Sequence, residues 1–189
     1  MRGRPVPESG LSLVEVLIVC ALAAVVAAAS GGPALGSADR VRARQAARHL
    51  AEECARARVL ALARSTAVAI SFGPESEGVP TALYADGNGN GVRSAEIASG
   101  TDPALSAPNR LADRYPGVRF GVVDPVLGSG PVRLGGSRLL TFSPLGTSTS
   151  GSLYIAGRDG SQYAVRLAGA TARVRVLRLN RATGIWSEV

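Results

Sequence analysis

Glu8-Ser9-Gly10-Leu11-Ser12-Leu13-Val14-Glu15-Val16-Leu17-Ile18 is the stretch on which the reading of this chain turns. A polar leader ends at a glycine, and from Leu11 to Leu35 Glu15 is the only charged residue. As a helix rising about 1.5 Å per residue, that run is long enough to cross a bilayer core of about 30 Å. A carboxylate inside such a helix costs about 2.5–3.5 kcal/mol unless it finds a partner, which makes Glu15 a candidate functional residue. Arg2 and Arg4 precede the run and favour an inside amino terminus, while Arg40, Arg42, Arg44 and Arg48 follow it and weaken that preference.

Three modes of export compete for this stretch, and they differ in where the chain is cut. An ordinary secretory signal would use Ala27-Ala28-Ala29 as its small-residue site. Glu15 argues against that, because it sits in what should be the uncharged centre. A lipid-anchored terminus at Cys20 would need a small residue before it, and Val19 is bulky. In the third mode the hydrophobic helix stays attached after cleavage behind Gly10.

That third mode is the one the residues resemble. Glu8 through Ile18 closely resembles the type IV prepilin signal, in which a peptidase on the cytoplasmic side cuts after the glycine. The resemblance implies cleavage between Gly10 and Leu11 and amino-methylation of the new terminus at Leu11. It also implies pairing of Glu15 with the free α-amine of a neighbouring subunit during filament assembly. The departure is Leu11, where the family usually has phenylalanine.

Past Gly31-Gly32-Pro33, which is expected to bend or loosen the helix, the helical pattern resumes. Ala43, Ala47, Leu50, Cys54, Ala57 and Ala61 recur at spacings of four and three, a narrow apolar stripe. Arg42, Gln45, His49, Glu52 and Arg56 fall on the opposite side, so Cys54 reads as core and His49 as a solvated surface residue. Small alanines allow close approach of a second surface, which suits a helix laid on its own sheet. From about Ala67 the period shortens. Strands are expected at Ala67–Phe72, Thr81–Ala85, Val118–Val123, Leu139–Phe142, Ser152–Ala156, Tyr163–Leu167 and Ala172–Leu179, with Gly, Pro and Ser between them. The region from roughly 95 to 135 reads as loop.

Two later segments narrow the resemblance. Thr141-Phe142-Ser143-Pro144-Leu145-Gly146-Thr147, followed by Gly151-Ser152-Leu153-Tyr154-Ile155, is similar to a strand pair of the GspH/FimT group of minor pseudopilins. So is the helix end Ala55 to Ser65. The implied fold is α+β and pilin-like: a leader over 1–10, a transmembrane half-helix over 11–35, an amphipathic half over 36–66, and a β-rich head over 67–189. The implied protein is a structural subunit of a type II secretion pseudopilus or type IV pilus, acting in filament initiation and assembly and in protein secretion. It would sit single-pass in a bacterial inner membrane, amino terminus cytoplasmic and head periplasmic. Its partners would be a prepilin peptidase and other pseudopilins or minor pilins, with no cofactor.

Charge gives a second expectation. All 21 basic residues are arginine, and the formal net charge is +7. Residues 1–129 hold 13 arginines against 12 acids, and residues 130–189 hold 8 against 2, so the excess lies in the last third. Arg173, Arg175, Arg178 and Arg181 stand out there. Some FimT-like proteins carry a Gly-Arg-x-Arg stretch near the carboxyl end that is implicated in DNA binding. Here Ala172-Arg173-Val174-Arg175 is similar, with alanine in place of the glycine. Arginine contacts to phosphate would give salt-sensitive, sequence-independent binding of double-stranded DNA; the bland reading is a solvated basic face.

Catalysis has little to work with: one histidine and two cysteines leave no reacting or metal-binding constellation, and an enzyme is not expected. Cys20 and Cys54, on one helix, would lie roughly 50 Å apart and could not pair. Asp86-Gly87-Asn88-Gly89-Asn90-Gly91 resembles a calcium loop. Its twelfth position is Ile97, however, with Glu96 one residue early, so a turn is the stronger reading.

Overall fold

The computed structural model describes residues 12–123, 128 and 130–189, with backbone alone at 28–36. It has two compact units, Met1–Ala38 and Asp39–Val189. Helix α1 (Leu13–Arg64) contributes to both. Gly31, Gly32 and Pro33 do not end it.

In the first unit, the described side chains of α1 are all solvent-exposed up to Ala27. Leu17 is 61% exposed and Val26 67%. Among the described residues no helix is long and apolar enough to cross a membrane. The exposed side chains described from Leu13 to Ala27 extend roughly 22 Å at about 1.5 Å per residue, against a bilayer core of about 30 Å.

In the second unit the same helix is amphipathic in the expected register. Ala43, Ala47, Leu50, Cys54, Ala57 and Ala61 are all buried, and Ala46 joins them. The helix closes on Ser65, in the left-handed region at φ 53°. The Thr66 N–H reaches the Ala61 carbonyl and the Ser65 N–H the Leu62 carbonyl, so two orphan carbonyls are satisfied by a reversal more often built with glycine.

The reversal feeds an antiparallel β-layer that is split in two, where the sequence suggested one sheet. The smaller sheet orders β2 (Thr81–Ala85), β1 (Val68–Phe72) and β5 (Leu139–Phe142). The larger orders β3 (Arg119–Phe120), β6 (Gly151–Ala156), β7 (Gln162–Ala168), β8 (Arg173–Asn180) and β9 (Ile185–Glu188), with β4 (Val132–Arg133) also on β6. Every pairing is antiparallel. One core joins the alanine stripe of α1 to Ile70, Leu140 and Phe142 of the small sheet and to Leu153, Ile155 and Val165 of the large one. Phe72 and Phe120 meet edge to face at 5.8 Å, linking β1 to β3. The fold is therefore α+β, a helix packed on antiparallel sheets.

The middle of the chain is more ordered than a loop. It holds α2 (Ser94–Ser99), α3 (Leu111–Arg114), β3 and β4. Strand β3 covers two residues where six were expected, and its continuation is fastened by a side chain. Gln162, fully buried, donates to the carbonyls of Ile155 at 2.9 Å and Gly121 at 3.1 Å and accepts from the Val123 N–H at 2.6 Å. A buried amide satisfied on both ends holds that segment in place of a strand ladder.

Candidate functional site

The expected cleavage residues, Gly10 and Leu11, lie outside the described residues. Glu15 is in the first turn of α1, where its N–H bonds the Ser12 carbonyl at 3.0 Å. A negative charge in a first turn is favoured by the helix dipole. The carboxylate is exposed among exposed aliphatic side chains, and no basic group within salt-bridge distance is found for it among the described residues.

The four carboxyl-terminal arginines do not form one patch. Pairing register separates them onto two faces of the large sheet, because side chains alternate along a strand. Val174 and Val176 turn inward, opposite Leu167 and Val165, so Arg173 and Arg175 turn outward. Arg178 is opposite Tyr163, a core residue, and shares the inward face at its end. Arg181 follows in the β8–β9 turn, which the Asn180 side chain and Gly184 shape: the Ala182 N–H reaches Asn180 Oδ1 at 3.0 Å, and Gly184 takes φ 69°.

On the outward face the register adds arginines that the sequence pattern did not single out. Arg175 pairs with Arg166, Arg166 with Ser152, and Ser152 with Arg133, one row across four strands. The Arg133 guanidinium carbon lies 4.7 Å from the Tyr154 ring centroid, and Trp186 meets the same ring at 6.0 Å. Like charges directly opposite on a sheet are destabilising, and among the described residues no acid is paired with Arg166 or Arg175. The signal was present as alternation in β7 and β8, but only the hairpin register sets the two arginines side by side. Ala172, at the turn into β8, takes φ 49°, the left-handed conformation that glycine favours.

On the inward side, Arg178 and Arg181 line a hollow of about 270 Å³ with Arg40, Asp159, Ser161 and Asn180. Asp159 Oδ2 faces the Arg40 Nε at 3.5 Å, and Oδ1 accepts from the Ser161 hydroxyl at 2.6 Å. Burial pushes the Asp159 pKa up, but the Ser161 hydroxyl and N–H and the Arg40 guanidinium outweigh it and hold the carboxyl below its ordinary 3.8. Burial raises the Tyr163 pKa, against the opposing pull of Arg178 and Arg44.

A larger hollow, about 670 Å³, lies between α1 and α3 and mixes Glu52, Glu53 and Asp113 with Arg56, Arg110 and Arg114. His49 lines it, half-buried rather than solvated, its ring 5.8 Å from Tyr115 and its Nε2 3.6 Å from Glu53. The charges offset one another, which gives no single class of ligand. In the Asp86 loop, Oδ1 takes the N–H groups of Asn88 and Gly89 and Oδ2 that of Gly91, at 2.7–3.1 Å. It is a turn closed on its own carboxylate, and it leads into α2 rather than a returning strand. Among the described residues no group of three or more His, Cys, Asp or Glu is placed to hold a metal ion.

Compared with protein-family models, with curated proteins and with solved structures, the chain gives no match.

Proposed function

We propose that this chain is a minor pseudopilin of the GspH/FimT kind, with a pilin-like fold, a membrane-anchored structural subunit that acts in initiating and assembling a secretion pseudopilus or type IV pilus. The observation that carries the reading is one helix with two kinds of surface. Its first part exposes aliphatic side chains around a single carboxylate, and its second part buries an alanine stripe under antiparallel sheets. The first part suits a membrane or a bundle of like helices, and the second displays the head. After cleavage behind Gly10, Glu15 is the group that pairs with a neighbouring α-amine. Its replacement by alanine should abolish incorporation into the filament while leaving the melting temperature of the head unchanged. Pull-down of the variant with sheared filaments, beside a thermal melt, checks both; incorporation at the wild-type level sinks the reading.

The outward arginine row favours a second role, contact with double-stranded DNA. Phosphates spaced along a duplex match a row of cations across a sheet better than one compact site. Arg166→Ala with Arg175→Ala should then weaken a gel shift by the unit Asp39–Val189 and reduce the salt slope by about 2, near 0.9 for each phosphate no longer neutralised. An unchanged slope removes this role.

A further inference from the structure

The arginines that turn away from that row need a different explanation. Arg178 and Arg181 meet Arg40 around one small hollow, and Arg44 is one helical turn beyond Arg40. Among the described residues one carboxylate, Asp159, faces them, and its two oxygens are already engaged by Ser161 and Arg40. Among the described residues Arg44, Arg178 and Arg181 have no ion-pair partner. At the hollow two guanidinium groups without an ion-pair partner, Arg178 and Arg181, join the Arg40 guanidinium that faces the engaged carboxylate, which makes a site for an anion; guanidinium matches phosphate in its paired N–H geometry. At about 270 Å³ the hollow is below the range of about 300–1,000 Å³ typical of sites that enclose a drug-sized ligand, so it suits a single anionic group.

The position along the chain suggests where that group comes from. Arg40 is five residues past Leu35, the end of the apolar run, which is roughly 8 Å further along a helix. The headgroup layer on each side of a bilayer is about 5–8 Å deep. If the apolar run is anchored in a membrane, Arg40 is among the first basic residues to follow it in the chain. Basic clusters beside a membrane helix bind anionic headgroups.

We propose that the hollow between Arg40, Arg178 and Arg181 holds the phosphate of an anionic phospholipid from the leaflet into which α1 emerges. This rests on the membrane reading of α1. Of the arginines that follow the apolar run, on the side where the positive-inside preference disfavours them, Arg42 pairs with Asp39 at 2.9 Å and Arg40 faces Asp159 at the edge of this hollow.

The test is native mass spectrometry of the full chain released from detergent micelles holding equal amounts of phosphatidylglycerol and phosphatidylcholine. The wild type should retain phosphatidylglycerol in preference by at least about 25-fold, and that preference should fall about fivefold for each arginine removed in Arg178→Ala and Arg181→Ala. Arg178→Lys with Arg181→Lys should keep most of it, which separates lost charge from lost folding, and Arg173→Ala with Arg175→Ala should leave it intact. Equal retention of the two lipids by the wild type overturns the proposal. So does displacement of the lipid by millimolar inorganic phosphate, which would make the site one for a free anion. Binding of a DNA duplex that is lost with Arg178 and Arg181 but kept without Arg173 and Arg175 would assign the hollow to nucleic acid and overturn it equally. Flotation on pure phosphatidylcholine vesicles at high salt tests the underlying reading apart: a chain that does not float removes the membrane anchor, whereas one that floats without a lipid preference removes only the headgroup site.

Discussion

From Leu13 to Val26 helix α1 exposes large aliphatic side chains, whereas from Ala43 to Ala61 it buries small ones completely. A surface that meets a fluid or variable partner gains from area, and leucine and valine supply it. A surface that meets a fixed sheet gains from closeness, and alanine lets the backbones approach. The helix is thus continuous in its hydrogen bonding but divided in what its side chains are for. The largest effect is expected at the largest side chain of the buried stripe. Leu50, the one large aliphatic in the buried stripe, touches the common core, and Leu50→Ala should destabilise the head by about 2–5 kcal/mol. Leu17→Ala, in the exposed stretch, should leave the head's thermal transition where it was. Trp186 fluorescence on heating the full chain in detergent reads both. A comparable loss from Leu17→Ala would mean that the exposed stretch supports the head after all.

The two stretches were unequally legible in the sequence. Spacing alone identified every member of the buried stripe except Ala46, because a helix fixes which residues share a face. Strands β1, β2, β5, β6, β7 and β8 were also readable within a residue or two, from alternation bounded by Gly, Pro and Ser. What did not show was anything that depends on partners distant in the chain. Strands β4 and β9 are short, and their existence rests on pairing with β6 and β8. The split into two sheets depends on where β5 hands over to β6. The arginine site suffered most. Four arginines near one another in sequence read as one patch, yet the shift from Arg175 to Arg178 changes sheet face, while Arg166, Arg133 and Arg40 reach the two sites from other elements. A period of two reports which residues share a face, but not which strand comes next to it.

The two cysteines sharpen the same comparison, since each stretch of α1 carries one. Cys20 is exposed and Cys54 buried. Burial, with the neighbouring Glu53 charge, pushes the Cys54 thiol up to about 12 from its ordinary 9.0. Only the thiolate reacts, so at pH 8 a fraction of about 10⁻⁴ of Cys54 is competent even before access is considered. A maleimide that partitions into detergent should therefore label Cys20 alone in the folded chain and both thiols after denaturation, with intact mass counting the adducts. Rapid double labelling without denaturant would show that the stripe is not closed.

The smallest effect concerns the contrast between two carboxylates. Glu15 has no partner described beside it, while Asp86 accepts three N–H groups from its own loop. Burial alone would raise the Asp86 pKa, but the N–H groups of Gly91, Gly89 and Asn88 outweigh it and lower the carboxyl from 3.8. A depressed folded pKa contributes stability that is complete above the unfolded value and fades as pH falls through the folded one. Asp86→Asn keeps one acceptor oxygen and removes the other, at a cost of about 0.5–1.5 kcal/mol at pH 7. The gap between wild type and variant should close as the pH falls below 3.8, because the protonated carboxyl has lost the same charge-assisted bonds. Paired melts at pH 7 and at pH 2–3 measure it. A gap that stays constant with pH would show that the loop is held by its backbone turns and not by the ionised carboxylate, which would leave Asp86 no more engaged than Glu15.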